Sequence, residues 1–248
     1  MNLWTTTLVR HFLDTRFGVT YCRERVRQLR HELGFRLRRL RHRHLQARAE
    51  EQEALIAELE ALTEEWPEEW ELLCVDEATM RRHPTLTAQW CLVDEVPEVP
   101  TGDDRTKRHG YGAVAPLTGR THYHISPALG KGEFARFLQH LMVYYPGKRL
   151  LVIHDRGEQH QGASVDAVVR EAQGRLVLKA QPAYSPELNP QERIGTWWRR
   201  VVTHHHGFAT LTEQIEAIRN FFRYLAGVKD QVRHLCGFKT PESFVASL

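Results

Sequence analysis

Cysteine is scarce and unpaired: Cys22, Cys74, Cys91 and Cys236 are widely scattered, with no Cys-x-x-Cys pair. That excludes a disulfide scaffold and a cysteine-based structural zinc site, and it reads as reduced thiols in a cytoplasmic protein. No apolar run approaches the roughly 18 residues of a membrane span, so no membrane partner is expected. The first helical stretch carries Arg10, His11 and Asp14, which excludes a secretory leader. Internal repeats are absent, and so is low complexity outside one glutamate-rich stretch. With 42% hydrophobic and 26% charged residues, the 248-residue chain is an ordinary globular protein, one large domain or one with a small appendage.

Lysine is missing from residues 23–43, where nine arginines crowd together. Residues 1–43 hold eleven arginines against Asp14, Glu24 and Glu32, a charge of +8. Since the whole chain is +3, the other 205 residues sum to −5. A basic arm on a mildly acidic body points to a polyanion, against the plainer reading of a solvated arginine face. Arginine's rigid fork suits phosphates and base edges, which favours double-stranded DNA and nominates Arg23, Arg25, Arg27, Arg30, Arg36, Arg38, Arg39, Arg41 and Arg43 as contacts.

The periodicity over 4–17 predicts a helix with Leu8, Phe12 and Phe17 on one face, broken at Gly18. Thr20 is expected to cap a second helix over 21–33, with Val26, Leu29 and Leu33 as its stripe and Gly34 just past its end. Helix, tight turn, arginine-studded helix is the grammar of a helix-turn-helix reader over residues 1–47. Residues 49–71 then carry ten glutamates and no basic residue. Leu55, Ile56, Leu59 and Leu62 mark one apolar stripe and Pro67 stops it, so 48–71 reads as an acidic linker helix. From 72 to 248 the pattern is mixed α/β. A strand ends at Asp76, strands 110–117 and 120–126 form a hairpin, and a helix over 131–144 leads to a strand over 149–154. A helix over 162–172, a strand at 176–178 and helices over 190–203 and 211–225 complete a ribonuclease-H-like order.

Three carboxylates punctuate that order. Asp76 closes Leu72-Leu73-Cys74-Val75, and Asp155 closes Leu150-Leu151-Val152-Ile153-His154. Functional groups gather beyond the carboxyl ends of parallel strands, although either residue also serves as a plain turn aspartate. Glu77 should point to the opposite face from Asp76, because strand side chains alternate. Glu192 follows Asn189 at N-cap and Pro190 at N1, the spacing of a capping box, so it either serves its own helix or is aimed by it. Together they suggest a site for divalent ions.

At this point the residues resemble a known family. Tyr184-Ser185-Pro186-Glu187-Leu188-Asn189-Pro190-Gln191-Glu192 with Trp197-Trp198 is similar to the third catalytic motif of DDE transposases, in the bacterial insertion-sequence branch of the mariner superfamily. Val75-Asp76-Glu77 resembles the first motif, and Ile153-His154-Asp155 with His160 the second. The 36 residues between Asp155 and Glu192 suit the family's separation. The resemblance implies that Asp76, Asp155 and Glu192 hold Mg²⁺, with Mn²⁺ as substitute, in two ions. It further implies cleavage of terminal inverted repeats, strand transfer into target DNA, a homodimer when active, and a nucleoid-associated place in the cytoplasm. His160, Asn189 and Arg156 stand as supporting residues. Two features depart from the family: Arg156 occupies a usual asparagine position, and the chain starts later than relatives that carry a further helix-turn-helix. They leave open a truncated or inactive copy that binds DNA or partner without cutting. A ribonuclease-H-like nuclease of another lineage fits the Asn-Pro helix start less well.

Other signals are weaker. Adjacent His204, His205 and His206 cannot all face one ion on a helix. His122 and His124 share a strand face, a better pair, though a hairpin face explains them equally. Trp197 and Trp198 read as core. Lys107 and Arg108 are placed in a polar loop beyond Pro100, where they touch DNA backbone or simply face solvent.

Overall fold

The computed structural model describes residues 4–36, 48–64, 66–81, 83–88, 91, 94, 97–99, 106–204 and 206–237. The chain divides into two compact units, Met1–Arg43 and His44–Leu248. Arg38, Arg39, Arg41, Arg43 and His205 lie outside the described residues.

In the first unit α1 (Thr6–Phe17) begins at Thr5, whose hydroxyl accepts the Leu8 N–H, and stops at Gly18 with φ 66°. The second helix, α2 (Arg23–Glu32), starts later than expected, and its cap is Cys22 rather than Thr20. Thr20 instead donates its hydroxyl to Asp14 Oδ1 at 2.7 Å, which pins the turn. Gly34, at φ 82°, donates its N–H to His31 O while Phe35 N–H reaches Arg30 O, the paired bonds of a Schellman end. Val26 is buried, but Leu33 is 73% exposed because the helix has already ended. Leu8, Phe12 and Phe17 are likewise exposed, and Phe12 sits edge-on between Trp4 and Phe17.

In the second unit α3 (Ala49–Glu64) lays Leu55 and Leu59 into the core, while Leu62 stays exposed. The sheet comprises β1 (Trp70–Arg81), β2 (Lys107–Ala115), β3 (Arg120–Ser126), β4 (Arg149–His154) and β5 (Leu176–Ala180), in the order β3-β2-β1-β4-β5. The β1–β2 and β2–β3 pairs are antiparallel, and β1–β4 and β4–β5 are parallel. One face is covered by α4 (Lys131–Tyr144) and α5 (Ala163–Glu171), where Leu73 and Val75 pack among Phe134, Leu138 and Val165. The other carries α3, α6 (Pro190–Trp198), α7 (Leu211–Gly227) and α8 (Lys229–Cys236), packed on Leu72, Cys74 and Ile153. This is the mixed, helix-flanked sheet of ribonuclease-H-like proteins. Alternation along β1 thus sends its even residues toward α6 and its odd residues toward α4.

Two expectations change. β1 does not stop at Asp76: it runs on to Arg81, because residues 74–81 pair with β2 after the ladder with β4 has ended at Cys74↔Ile153. Lys107 and Arg108 are not in a loop but open β2, drawn into the ladder opposite Arg81 and Met80. Trp198 is core as expected, and Trp197 packs edge-on against Phe221 and Tyr224. The helix over 190–203 is α6 followed by one π turn, Arg199–Thr203.

Candidate active site

Asp76 lies two residues past the last β1–β4 pairing, still laddered to Gly112 of β2, and Asp155 follows β4 directly, so both stand at the end of the parallel β1–β4 ladder. Glu192 arrives from the α6 side. Asn189 fixes that helix start twice over. Its Oδ1 accepts the Gln191 N–H at 3.0 Å, and its Nδ2 donates to Val75 O at 2.9 Å, next to Asp76. One buried side chain therefore caps α6 and moors it to β1. The reciprocal half of a capping box is not formed, since the Asn189 N–H is already given to Pro186 O. Glu192 is left partly exposed on the first turn.

Burial first and the negative charge of Glu192 second, with smaller contributions from Glu77 and Asp155, together push the Asp76 carboxyl from 3.8 up to about 7. Asp76 has no cationic partner among the described residues. A cluster of oxygen donors held against its own repulsion is what a hard divalent cation relieves, so these residues fit Mg²⁺ or Mn²⁺. Asp155 differs: its hydrogen bond from His160 holds the carboxyl below its usual range despite partial burial.

Glu77 does face away from Asp76, but it is not remote from the site. Its Oε1 lies 2.6 Å from His160 Nε2, and Gln159 donates to its Oε2 at 3.1 Å. On its other side His160 Nδ1 lies 2.8 Å from Asp155 Oδ1. The imidazole is fully buried between two carboxylates. Burial alone lowers its pKa, but the hydrogen bonds to Asp155 and Glu77 outweigh that and push it up to about 9. Glu77, Asp155 and His160 bring donor atoms within 4.8 Å of one another, the spacing of a metal cage. Both imidazole nitrogens already face a carboxylate oxygen at hydrogen-bonding distance, so the cluster stands here as a hydrogen-bonded bridge.

Arg156 turns away from the carboxylates. Its Nε donates to Gln181 O at 3.1 Å and its guanidinium meets Glu51 of α3 at 3.3 Å. Beside it Gln52 donates to Ser185 Oγ and Glu187 Oε1, so α3 grips the loops that carry Asp155 and Glu192. Of the described arginines, Arg25 pairs with Glu32 and Arg27 with Glu24, and Arg30 donates to Trp4 O. Arg36 curls back to His31 O, while Arg23 is exposed. Lys107 is exposed and Arg108 half-buried, the latter beside a cavity lined by His122, His124 and His140.

Sequence reasoning missed Glu77, α3's grip and Gly112. A Cβ at Gly112 would sit 2.3 Å from Gln191 Nε2, so the glycine makes room for α6 against β2. Gly110-Tyr111-Gly112 inside a strand is the available signal, since strand glycines mark close approach.

Residues 71–216, which include all three carboxylates, match the family profile of DDE superfamily endonucleases, and residues 1–59 match that of a winged helix-turn-helix. No curated protein matches the sequence. The crystal structure of the mariner Mos1 paired end complex with Mg is similar at TM-score 0.62 and 14% identity, covering 98% of this chain and 77% of that one. The Mos1 strand transfer complex gives 0.61 and 13%, covering 96% and 75%. The Mos1 catalytic domain alone gives 0.52 and 10%, covering 79% and 96%.

Proposed function

The chain belongs to the DDE superfamily of endonucleases, and on that premise we propose that it is a DNA transposase of the mariner-like insertion-sequence branch. It cuts transposon ends at their terminal inverted repeats and joins them to target DNA. The observation that supports this reading is the placement of the three carboxylates: Asp76 just past the β1–β4 ladder, Asp155 directly after β4, and Glu192 on the first turn of α6, which Asn189 ties to Val75 beside Asp76. The similar Mos1 structures are described as paired-end and strand-transfer complexes, which supports the same reaction for this chain.

Asp76, Asp155 and Glu192 are the catalytic residues and would hold Mg²⁺ or Mn²⁺, as two ions. Such ions supply charge stabilisation for in-line attack on a phosphodiester. The chain's own part is geometry. β1 and the end of β4 present the two aspartates just beyond the parallel ladder, and Asn189 aims Glu192 from α6. The arginines of residues 23–43, with Lys107 and Arg108, serve as backbone contacts for double-stranded DNA. We place the division of labour at residues 1–47 for DNA recognition, 48–71 for the linking helix and 72–248 for chemistry. The working form is a homodimer, in the cytoplasm and associated with the nucleoid. Among the described residues no helix is long and apolar enough to cross a membrane.

A second reading, an inactive binder, is favoured by one feature: Arg156 follows Asp155 where the family usually carries asparagine. Cleavage of a labelled duplex carrying the element's terminal repeat separates the two. Asp155→Asn and Glu192→Gln should abolish Mg²⁺- or Mn²⁺-dependent cutting and leave binding of the duplex intact. An unaltered protein that binds the duplex but never cuts it with either ion establishes the binder.

A further inference from the structure

The main-chain ladder between β1 and β4 stops at Cys74↔Ile153, short of both Asp76 and Asp155. Beyond that point β1 follows β2 while the chain after β4 turns away, so backbone pairing no longer sets the spacing of the two aspartates. On the α4 side one side chain spans from β1 to the segment after β4. His160, from the short 3₁₀ turn Glu158–His160, reaches Glu77 of β1 with Nε2 at 2.6 Å and Asp155 with Nδ1 at 2.8 Å. Its ring is wedged against Phe134 at 4.4 Å and His154 at 4.8 Å between centroids, which fixes its plane. Gln159 holds the second oxygen of Glu77, so that carboxylate is clamped too.

The consequence falls on Asp155. Its Oδ1 lies 2.8 Å from His160 Nδ1 and accepts the Gly157 N–H at 2.8 Å, while the same imidazole nitrogen lies 3.0 Å from the Asp155 carbonyl oxygen, so side chain and backbone are held together. Oδ2 is bonded to no described residue. A carboxylate with one oxygen pinned twice and the other open is oriented to offer a single oxygen. We propose that Glu77 and His160 are positioning residues that act as a side-chain strut across the splayed strands, holding Asp155 so that Oδ2 is presented to a divalent cation shared with Asp76 and Glu192. The inference rests on the transposase reading above and extends it to two residues that touch neither cation nor DNA. Groups that hydrogen-bond a metal ligand from behind typically change metal affinity by about 10–100-fold when removed.

The test is Mn²⁺ binding to the full-length protein, read from the free-ion signal by electron paramagnetic resonance, with thermal unfolding measured alongside. His160→Ala should raise the Mn²⁺ concentration for half-saturation by about 10–100-fold. Glu77→Gln keeps the shape and one acceptor oxygen, and should raise it by several-fold. The double variant should be no weaker than His160→Ala, because both changes act through the same contact. His160→Gln, which can still donate to one carboxylate, should recover part of the loss. Terminal-repeat cleavage by each variant should return as Mn²⁺ is raised in proportion. If these variants unfold at lower temperature but keep wild-type Mn²⁺ affinity, the strut is structural only and the proposal falls. If Glu77→Gln removes binding as completely as Asp155→Asn, Glu77 is itself a ligand and the proposal also falls. Asp76→Asn separates the two levels. Where wild-type binding is lost in Asp76→Asn yet unchanged in the strut variants, this inference alone fails. Where the wild type binds no Mn²⁺ at all, the transposase site fails with it.

Discussion

Asp76→Asn should make the metal-free protein more stable at pH 8 and indifferent to magnesium. In the folded chain this carboxyl is raised from its ordinary 3.8 to about 7, by burial first and by Glu192 second. Between those two pH values the folded state keeps a proton that the unfolded chain has released. Stability linked to Asp76 is therefore fully present below about pH 4 and is lost as pH rises through about 7. A rise of about three pH units, at about 1.4 kcal/mol each, sets a ceiling of about 4 kcal/mol. The carboxylate is partly exposed and water still reaches it, so roughly half that, about 2 kcal/mol, is the expected cost at pH 8.

Asparagine is nearly isosteric and carries no charge, so it removes that cost. At pH 8, without divalent ions, the variant should melt about 4–8 °C above the wild type, taking about 2–4 °C per kcal/mol for a protein of this size. At pH 4.5 the two midpoints should nearly coincide. Adding 10-fold steps of Mg²⁺ at pH 8 should raise the wild-type midpoint and leave the variant where it was, since binding to the folded state alone stabilises by mass action. Differential scanning fluorimetry across pH and Mg²⁺ measures all of this. A variant that melts below the wild type at pH 8, or that gains as much from Mg²⁺, refutes the claim that Asp76 sits ionised against its neighbours in a cation site.

Asn189→Ala removes both the α6 cap and the bond to Val75 O. It should cost about 2–3 kcal/mol, read from denaturant unfolding, and lower terminal-repeat cleavage at least 10-fold because Glu192 loses its mooring. If the described arginines and those beyond them contact about six phosphates, duplex affinity should fall with salt at a log–log slope of roughly −5. Arg23→Ala should make that slope shallower by about one unit, whereas Arg27→Ala, whose charge is shared with Glu24, should change it less. A slope independent of salt would assign the arginine face to solvent.

What the sequence made legible was local. Asn189-Pro190 announces a helix start, and the run Leu150–His154 announces a buried strand, because cap geometry and an apolar run are each written in consecutive residues. The opposite facing of Asp76 and Glu77 was legible for the same reason, since period-2 alternation needs no partner. What stayed hidden depends on partners distant in the chain. Lys107 and Arg108 look like loop residues until Arg81 and Met80 supply a ladder for them. Counting arginines could not show that Arg25 and Arg27 spend their charge on acids of their own helix. Thr20 and Cys22 are both able to cap, and the choice turned on Asp14, which took the threonine hydroxyl for itself.

Glu77 is the most instructive of these. Alternation correctly sends it to the face opposite Asp76, and from a single strand the inference that it leaves the site is sound. It fails because Asp155 stands at a strand end, where the sheet no longer separates its two faces. Asp155 can meet Asp76 and Glu192 on the α6 side and His160 on the α4 side at once. The adjacent pair Asp76-Glu77 thus serves one site from both faces. Asp76 supplies charge that a cation must answer, and Glu77 supplies charge that an imidazole already answers. Two neighbouring acids of like charge end in opposite electrostatic states because burial leaves one uncompensated and pairs the other.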